Sequence, residues 1–130
     1  MLESSKVVSV CLVKGTGKNL PTLWYRFGRL GAPELVFPKS SAGSLRKFRY
    51  AHYSRPQVER TELAFSNAGV EYSVFDYYDG EERPMYARGV GVTENGKDRD
   101  FRCRAGVISN LIELEKLVPC DAENALASCK

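Results

Sequence analysis

The chain has 130 residues, 43% of them hydrophobic and 27% charged, with a net charge of +3. That composition describes one ordinary globular domain, residues 1–130, and excludes disorder. The charge is too balanced to indicate a nucleic-acid binder, and no apolar run is long enough to span a membrane as a helix.

The dominant hydrophobic period is two, the signature of half-buried strands. Val8, Val10 and Leu12 share one face of a first strand over Val7–Val13, with Ser9 and Cys11 on the other. Leu23, Tyr25 and Phe27 form the next set, followed by Leu35 and Phe37 before Pro38. Phe48, Tyr50 and His52 alternate with Lys47, Arg49 and Tyr53. Thr61, Leu63 and Phe65, then Val70, Tyr72 and Val74, continue the pattern. Tyr86, Val90 and Val92 precede a last set of Phe101 and Cys103. Asn67-Ala68-Gly69 and Asn95-Gly96 supply residues that accept positive φ, so each predicts a tight hairpin. About eight short strands at this spacing predict an all-β antiparallel sandwich or flattened barrel. The tail differs. Asn110 and Glu113 fit a capping box, and Leu111, Leu114, Leu117 and Val118 line one helical face until Pro119. A short helical C-terminal tail is expected there, with a second turn begun by Asp121.

Four cysteines in a short chain read as a disulfide framework and an oxidising, periplasmic or secreted location. Position suggests Cys11–Cys103 and Cys120–Cys129 among three possible connectivities. Val7–Val13 is too short and too poorly flanked to be a signal peptide, so an exported form is expected to have lost its signal.

No catalytic constellation is legible. His52 is the only histidine and lies on the aromatic face of its strand, which predicts a packed ring rather than a general base. Gly15-Thr16-Gly17-Lys18 lacks the spacing and the following helix of a phosphate loop. The cysteines lack paired C-x-x-C spacing, so no metal site, cofactor or catalytic residue is predicted. Two surface candidates remain. The first is Phe75, Asp76, Tyr77, Tyr78, Asp79, Glu81 and Glu82, read as an exposed acidic loop rich in tyrosine and suited to a protein partner. Its carboxylates also admit a hard cation, but the spacing is not that of an EF-hand. The second is a basic stripe of Lys47, Arg49, Tyr53 and Arg55, extended by Arg46 and Arg60, suited to an anionic polymer or lipid headgroup. Gly89 and Gly91 face one side of a strand and call for a close neighbour, for which Trp24 is a candidate.

The segments Tyr25-Arg26-Phe27-Gly28, Pro33-Glu34-Leu35-Val36-Phe37-Pro38, Tyr53-Ser54-Arg55-Pro56 and Tyr72-Ser73-Val74-Phe75-Asp76 resemble small uncharacterised exported proteins of Gram-negative bacteria. In size, strand count and cysteines the chain is similar to the periplasmic lysozyme inhibitors, which insert a loop into the enzyme's cleft. In two of those families the loop carries Ser-Gly-x-x-Tyr. Ser41-Ala42-Gly43-Ser44 is the nearest stretch here and lacks the tyrosine, so no functional residue is carried over. The first resemblance implies location and fold but no known activity; with no catalytic constellation in the sequence, the expectation is a protein-binding module that catalyses nothing, with a lysozyme-type enzyme as the partner that the second resemblance suggests.

Overall fold

The computed structural model describes residues 6–13, 21–29, 32–39, 43–81, 84–104, 109–114 and 117–121. Their strands build two antiparallel sheets. The small sheet holds β1 (Val7–Val13), β2 (Thr22–Arg29) and β3 (Ala32–Phe37), in that order. The large sheet holds β4 (Arg49–Arg55), β5 (Val58–Asn67), β6 (Val70–Asp79), β7 (Met85–Glu94) and β8 (Lys97–Arg102), again in chain order. The all-β expectation holds, and the sheets stay separate rather than closing into a barrel. Both are meanders, so the edges are β1 and β3 of one sheet and β4 and β8 of the other.

Turn chemistry fixes the register. Ala68 and Gly69 have φ of 52° and 80°, and Asn95 and Gly96 have 52° and 74°. Two central residues at positive φ match the twist of a two-residue hairpin, so β5–β6 and β7–β8 close as the sequence predicts. The β4–β5 hairpin turns at Pro56-Gln57, with Gln57 at φ 66°. Proline followed by a left-handed residue is a type II arrangement.

Alternation then sends one set of side chains inward. Leu23 and Tyr25 of β2 meet Phe48, Tyr50, Leu63, Phe65, Val74 and Val90 of the large-sheet side in one cluster. Phe65 is its centre. Its ring stacks on Phe37 at 4.3 Å and on Tyr72 at 4.8 Å, and it meets Tyr25 at 4.8 Å and Phe48 at 5.4 Å. The Leu23 amide donates to the buried Ser44 Oγ (2.9 Å), fastening the inter-sheet connection to β2. Leu111, Leu114 and Val118 close one end of the cluster. The chain then runs beside β4: the Tyr50 amide donates to Pro119 O (2.8 Å) and the Asp121 amide to Tyr50 O (2.9 Å).

Three expectations are corrected. The helical tail is only a 3-10 turn, Leu111–Leu114, among the described residues; its i, i+3 leucines already share a face at three residues per turn. The expected second turn after Asp121 lies outside them. Cys11 and Cys103 are free thiols, so the Cys11–Cys103 bridge is absent. Strand parity explains this: Val8 and Val10 pack inward, which turns Cys11 outward on β1, away from the layer that carries Cys103. Cys120 is not a free thiol, but Cys129, its expected partner, lies outside the described residues. Trp24 does not cover the glycines, because it alternates with inward Leu23 and Tyr25 and so lies on the outer face of the small sheet, where its Nε1 donates to Thr22 Oγ1 (3.2 Å). Gly89 answers to β8 instead. A Cβ there would run into the Phe101 carbonyl oxygen and come within 3.0 Å of Arg102 Cα.

Candidate functional site

The small sheet does not cover the whole inner face of the large one. Two inward rows, Phe48–Phe65–Tyr72–Val92 and Tyr50–Leu63–Val74–Val90, are apolar and meet the core. The next rows are His52–Thr61–Asp76–Arg88 and Ser54–Glu59–Tyr78–Tyr86. The pleat therefore continues while the chemistry changes from hydrocarbon to polar and aromatic. This polar end also carries the Pro56-Gln57 turn and the connection between β6 and β7, tied by the Gly80 amide donating to Gln57 O (2.7 Å).

The segment predicted as an exposed loop lies here, but most of it is strand. Phe75 to Asp79 belong to β6. Phe75 is 9% exposed, so the expectation that it is exposed is corrected. It points to the outer face, beside Gly89 in the register, with its ring 5.3 Å from that of Tyr77. Tyr77 shares that face, donates its hydroxyl to the Glu62 carboxylate and lies under Arg60. Burial pushes its phenol pKa well up, and the Glu62 carboxylate adds to the shift. Asp76 and Tyr78 point to the inner face. Asp76 accepts from Arg88 Nε (2.8 Å). Asp79 ends the strand and accepts from the Glu81 amide (3.0 Å), while Glu81 pairs with Arg55. Glu82 lies outside the described residues. Alternation thus divides the predicted site between two faces.

Tyr78 has a partner that sequence reading did not find. Its ring lies 4.9 Å from Tyr86, its neighbour across the β6–β7 ladder. The Arg88 guanidinium sits 4.4 Å above the Tyr86 ring. Met85 and Tyr86 are 64% and 60% exposed, the most exposed large apolar side chains among the described residues. Tyr78, Tyr86 and Arg88 therefore form an aromatic tip on the inner face, while Met85 and its cross-strand partner Asp79 lie in the opposite phase at the same end of the sheet. The signal was hidden because pairing Tyr78 with Tyr86 requires the register across residues 80–84, which periodicity alone does not give.

On the neighbouring strands the same end holds a polar trio. His52 Nε2 donates to Glu59 Oε2 (2.7 Å) and Ser54 Oγ to Glu59 Oε1 (2.7 Å). These two hydrogen bonds hold the Glu59 carboxyl below its ordinary pKa, the one from His52 most of all. Cys103 lies beyond β8, at the opposite edge of the sheet, its amide donating to Arg88 O (2.7 Å). Burial raises its thiol pKa. Four strand spacings of about 4.8 Å separate that edge from β4, so His52 and Cys103 are not a nucleophile and its base. No three His, Cys, Asp or Glu residues are grouped to hold a metal ion among the described residues.

Two cations of the basic stripe, Arg49 and Arg55, are offset by neighbouring carboxylates. Arg49 pairs with Glu71 (2.9 Å) and lies 3.8 Å from Asp121. Arg55 pairs with Glu81, and Arg60 lies over Tyr77. Tyr53 is exposed on β4, and Lys47 is exposed on the 3-10 turn Ser44–Lys47. The glycine-lysine segment 14–18 and residues 40–42 lie outside the described residues.

No family model matches the chain, and no curated protein or solved structure matches it.

Proposed function

We infer that this protein is a binding module that docks another protein on the aromatic tip of its large sheet. The observation that carries the reading is the exposure of Tyr86 beside Tyr78 and Arg88, with exposed Met85 next to it on the opposite face of the same strand end. Tyrosine, arginine and methionine are the residues enriched at protein interfaces, and tyrosine and arginine dominate their hot spots. The rings present rigid contact area that costs little entropy to immobilise. Glu81 is paired with Arg55, so Asp79 is the carboxylate at this rim that favours a basic partner. A lysozyme-type enzyme meets that description, and its inhibition is the form of the reading to measure first.

The rival reading, an anionic polymer or headgroup on the basic stripe, has less support because Arg49 and Arg55 are already ion-paired. The thiols of Cys11 and Cys103 are free but that of Cys120 is not, so a periplasmic or secreted location remains part of the proposal and rests on the C-terminal cysteine alone.

The test is a binding and inhibition assay against a lysozyme panel, with a photo-crosslinking side chain at position 86 to capture other partners for reassay in pure form. Changing both Tyr78 and Tyr86 to Ala should weaken the partner at least ~10-fold. Changing Lys47 and Arg49 to Ser should alter mainly the on-rate and its salt dependence. Loss of binding in the basic variant with the tyrosine variant intact would transfer the function to the stripe.

A further inference from the structure

The small sheet leaves a second part of the large sheet's inner face open, on the side of β7 and β8. Phe27 and Leu35 of the small sheet stand opposite Val90, Val92 and Phe101 of the large one, and the gap between them has a volume of about 530 Å³. That is within the range of small-molecule sites, about 300–1,000 Å³. Its lining is mostly apolar, and the Phe27 and Phe101 rings meet within it, their centroids 6.2 Å apart.

The lip is charged, and its charges are unequally used. Lys97 and Arg99 point inward from β8, in the same phase as Phe101. Glu34, on the facing wall, is already neutralised by Lys6 Nζ at 2.9 Å. Among the described residues neither Lys97 nor Arg99 makes an ion pair, and the contact shown for Arg99 is its guanidinium 5.5 Å above the Phe101 ring. Glu94 is the cross-strand partner of Lys97 and offsets one of the two cations. One positive charge is left at the mouth of an apolar slot.

We propose that this cleft binds a single-chain amphiphilic anion of the fatty-acid class, taken up as a free molecule from solution. The hydrocarbon chain lies along the side chains of Phe27, Leu35, Val92 and Phe101, where it leaves water for a largely apolar surface. The carboxylate stays at the lip. Arg99 offers it a planar fork of donors and Lys97 a mobile point charge. A cationic amphiphile fits the walls equally well but meets the wrong charge. A short carboxylate meets the right charge but gains nothing from the walls.

The experiment is calorimetric titration of the full chain with dodecanoate below its micellar concentration, beside acetate and dodecyltrimethylammonium. Saturable one-to-one binding of dodecanoate alone is expected. The double change Lys97→Gln and Arg99→Gln should weaken it by about 10-fold, the scale of a charge-assisted contact. That variant should keep the wild-type melting temperature, because both side chains are on the exposed lip. Leu35→Glu, which puts a like charge into the slot, should abolish binding, and circular dichroism checks that it folds. Equal binding of the cationic amphiphile, or no saturable binding of dodecanoate to the folded wild type, overturns the proposal. So does an unchanged affinity in the Lys97/Arg99 variant. None of these outcomes bears on the aromatic tip, which lies at the other end of β7.

Discussion

Truncating Phe75 to alanine is expected to unfold the protein at a distinctly lower temperature. The ring is 9% exposed and packs beside Tyr77 and over the strand that carries Gly89. Phe→Ala changes at buried sites cost about 3–5 kcal/mol. Phe75 lies on the outer face of the large sheet, away from the small sheet, where neighbours can relax into the gap, so the lower end, about 3 kcal/mol, applies. Unfolding entropy near 2.1 cal/mol/K per residue gives about 0.27 kcal/mol/K for this chain, so the melting temperature should fall by about 11 °C. Far-UV circular dichroism against temperature measures it, and urea unfolding with an unchanged slope confirms that only stability has moved. Tyr86→Ala is the comparison. Its ring is 60% exposed, and the change should cost less than about 1 kcal/mol. A Phe75→Ala melting point within about 2 °C of wild type would refute the buried placement of the ring and restore it to the binding surface.

Two further outcomes follow from the backbone and the thiols. Ala68 sits at φ 52°, a region that costs an alanine about 1 kcal/mol and an asparagine less, so Ala68→Asn should raise stability by roughly 0.5–1 kcal/mol; a lower melting point would contradict the turn assignment. In a timed alkylation read by peptide mass, Cys11 should label first, because it is exposed, and Cys103 slowly, because burial raises its thiol pKa. A linked Cys11–Cys103 peptide in the unreduced digest would contradict the strand parity of β1.

Residue chemistry made some elements legible and hid others. Asn95-Gly96 and Asn67-Ala68-Gly69 specify their hairpins because few residues tolerate positive φ, and both turns are found where expected. Pro56-Gln57 escaped notice because glutamine carries no such signature, although it adopts the same left-handed geometry. Phe75–Asp79 read as a loop for a different reason. The strand continues past the cover of the small sheet, so Asp76 and Tyr78 occupy inward positions that are no longer apolar. A hydrophobic period reports burial, and it fades where burial ends even if the ladder does not. The Cys11–Cys103 pairing was misjudged at the same level. Spacing along the chain does not set side-chain direction, and a bridge requires two side chains to point at each other. The candidate tip was half legible: Tyr78 was singled out from its own segment, but Tyr86 and Arg88 join it only through the pairing of β6 with β7.

The four sheet edges differ in how they resist foreign strands. β8 is charged at every position but Phe101. β3 carries Pro33 and Glu34, and β4 is joined at Tyr50 by the segment around Cys120. β1 reads Val-Val-Ser-Val-Cys-Leu-Val, without a charge or a proline, and leaves Leu12 and Val13 exposed at its end. Charges, proline and cover are the usual devices that keep an edge from templating another chain. A short, neutral, β-branched segment with none of them has the composition of an aggregation nucleus. Among the described residues β1 is therefore the least protected edge, and self-association at high concentration is expected to begin there, in the smaller of the two sheets.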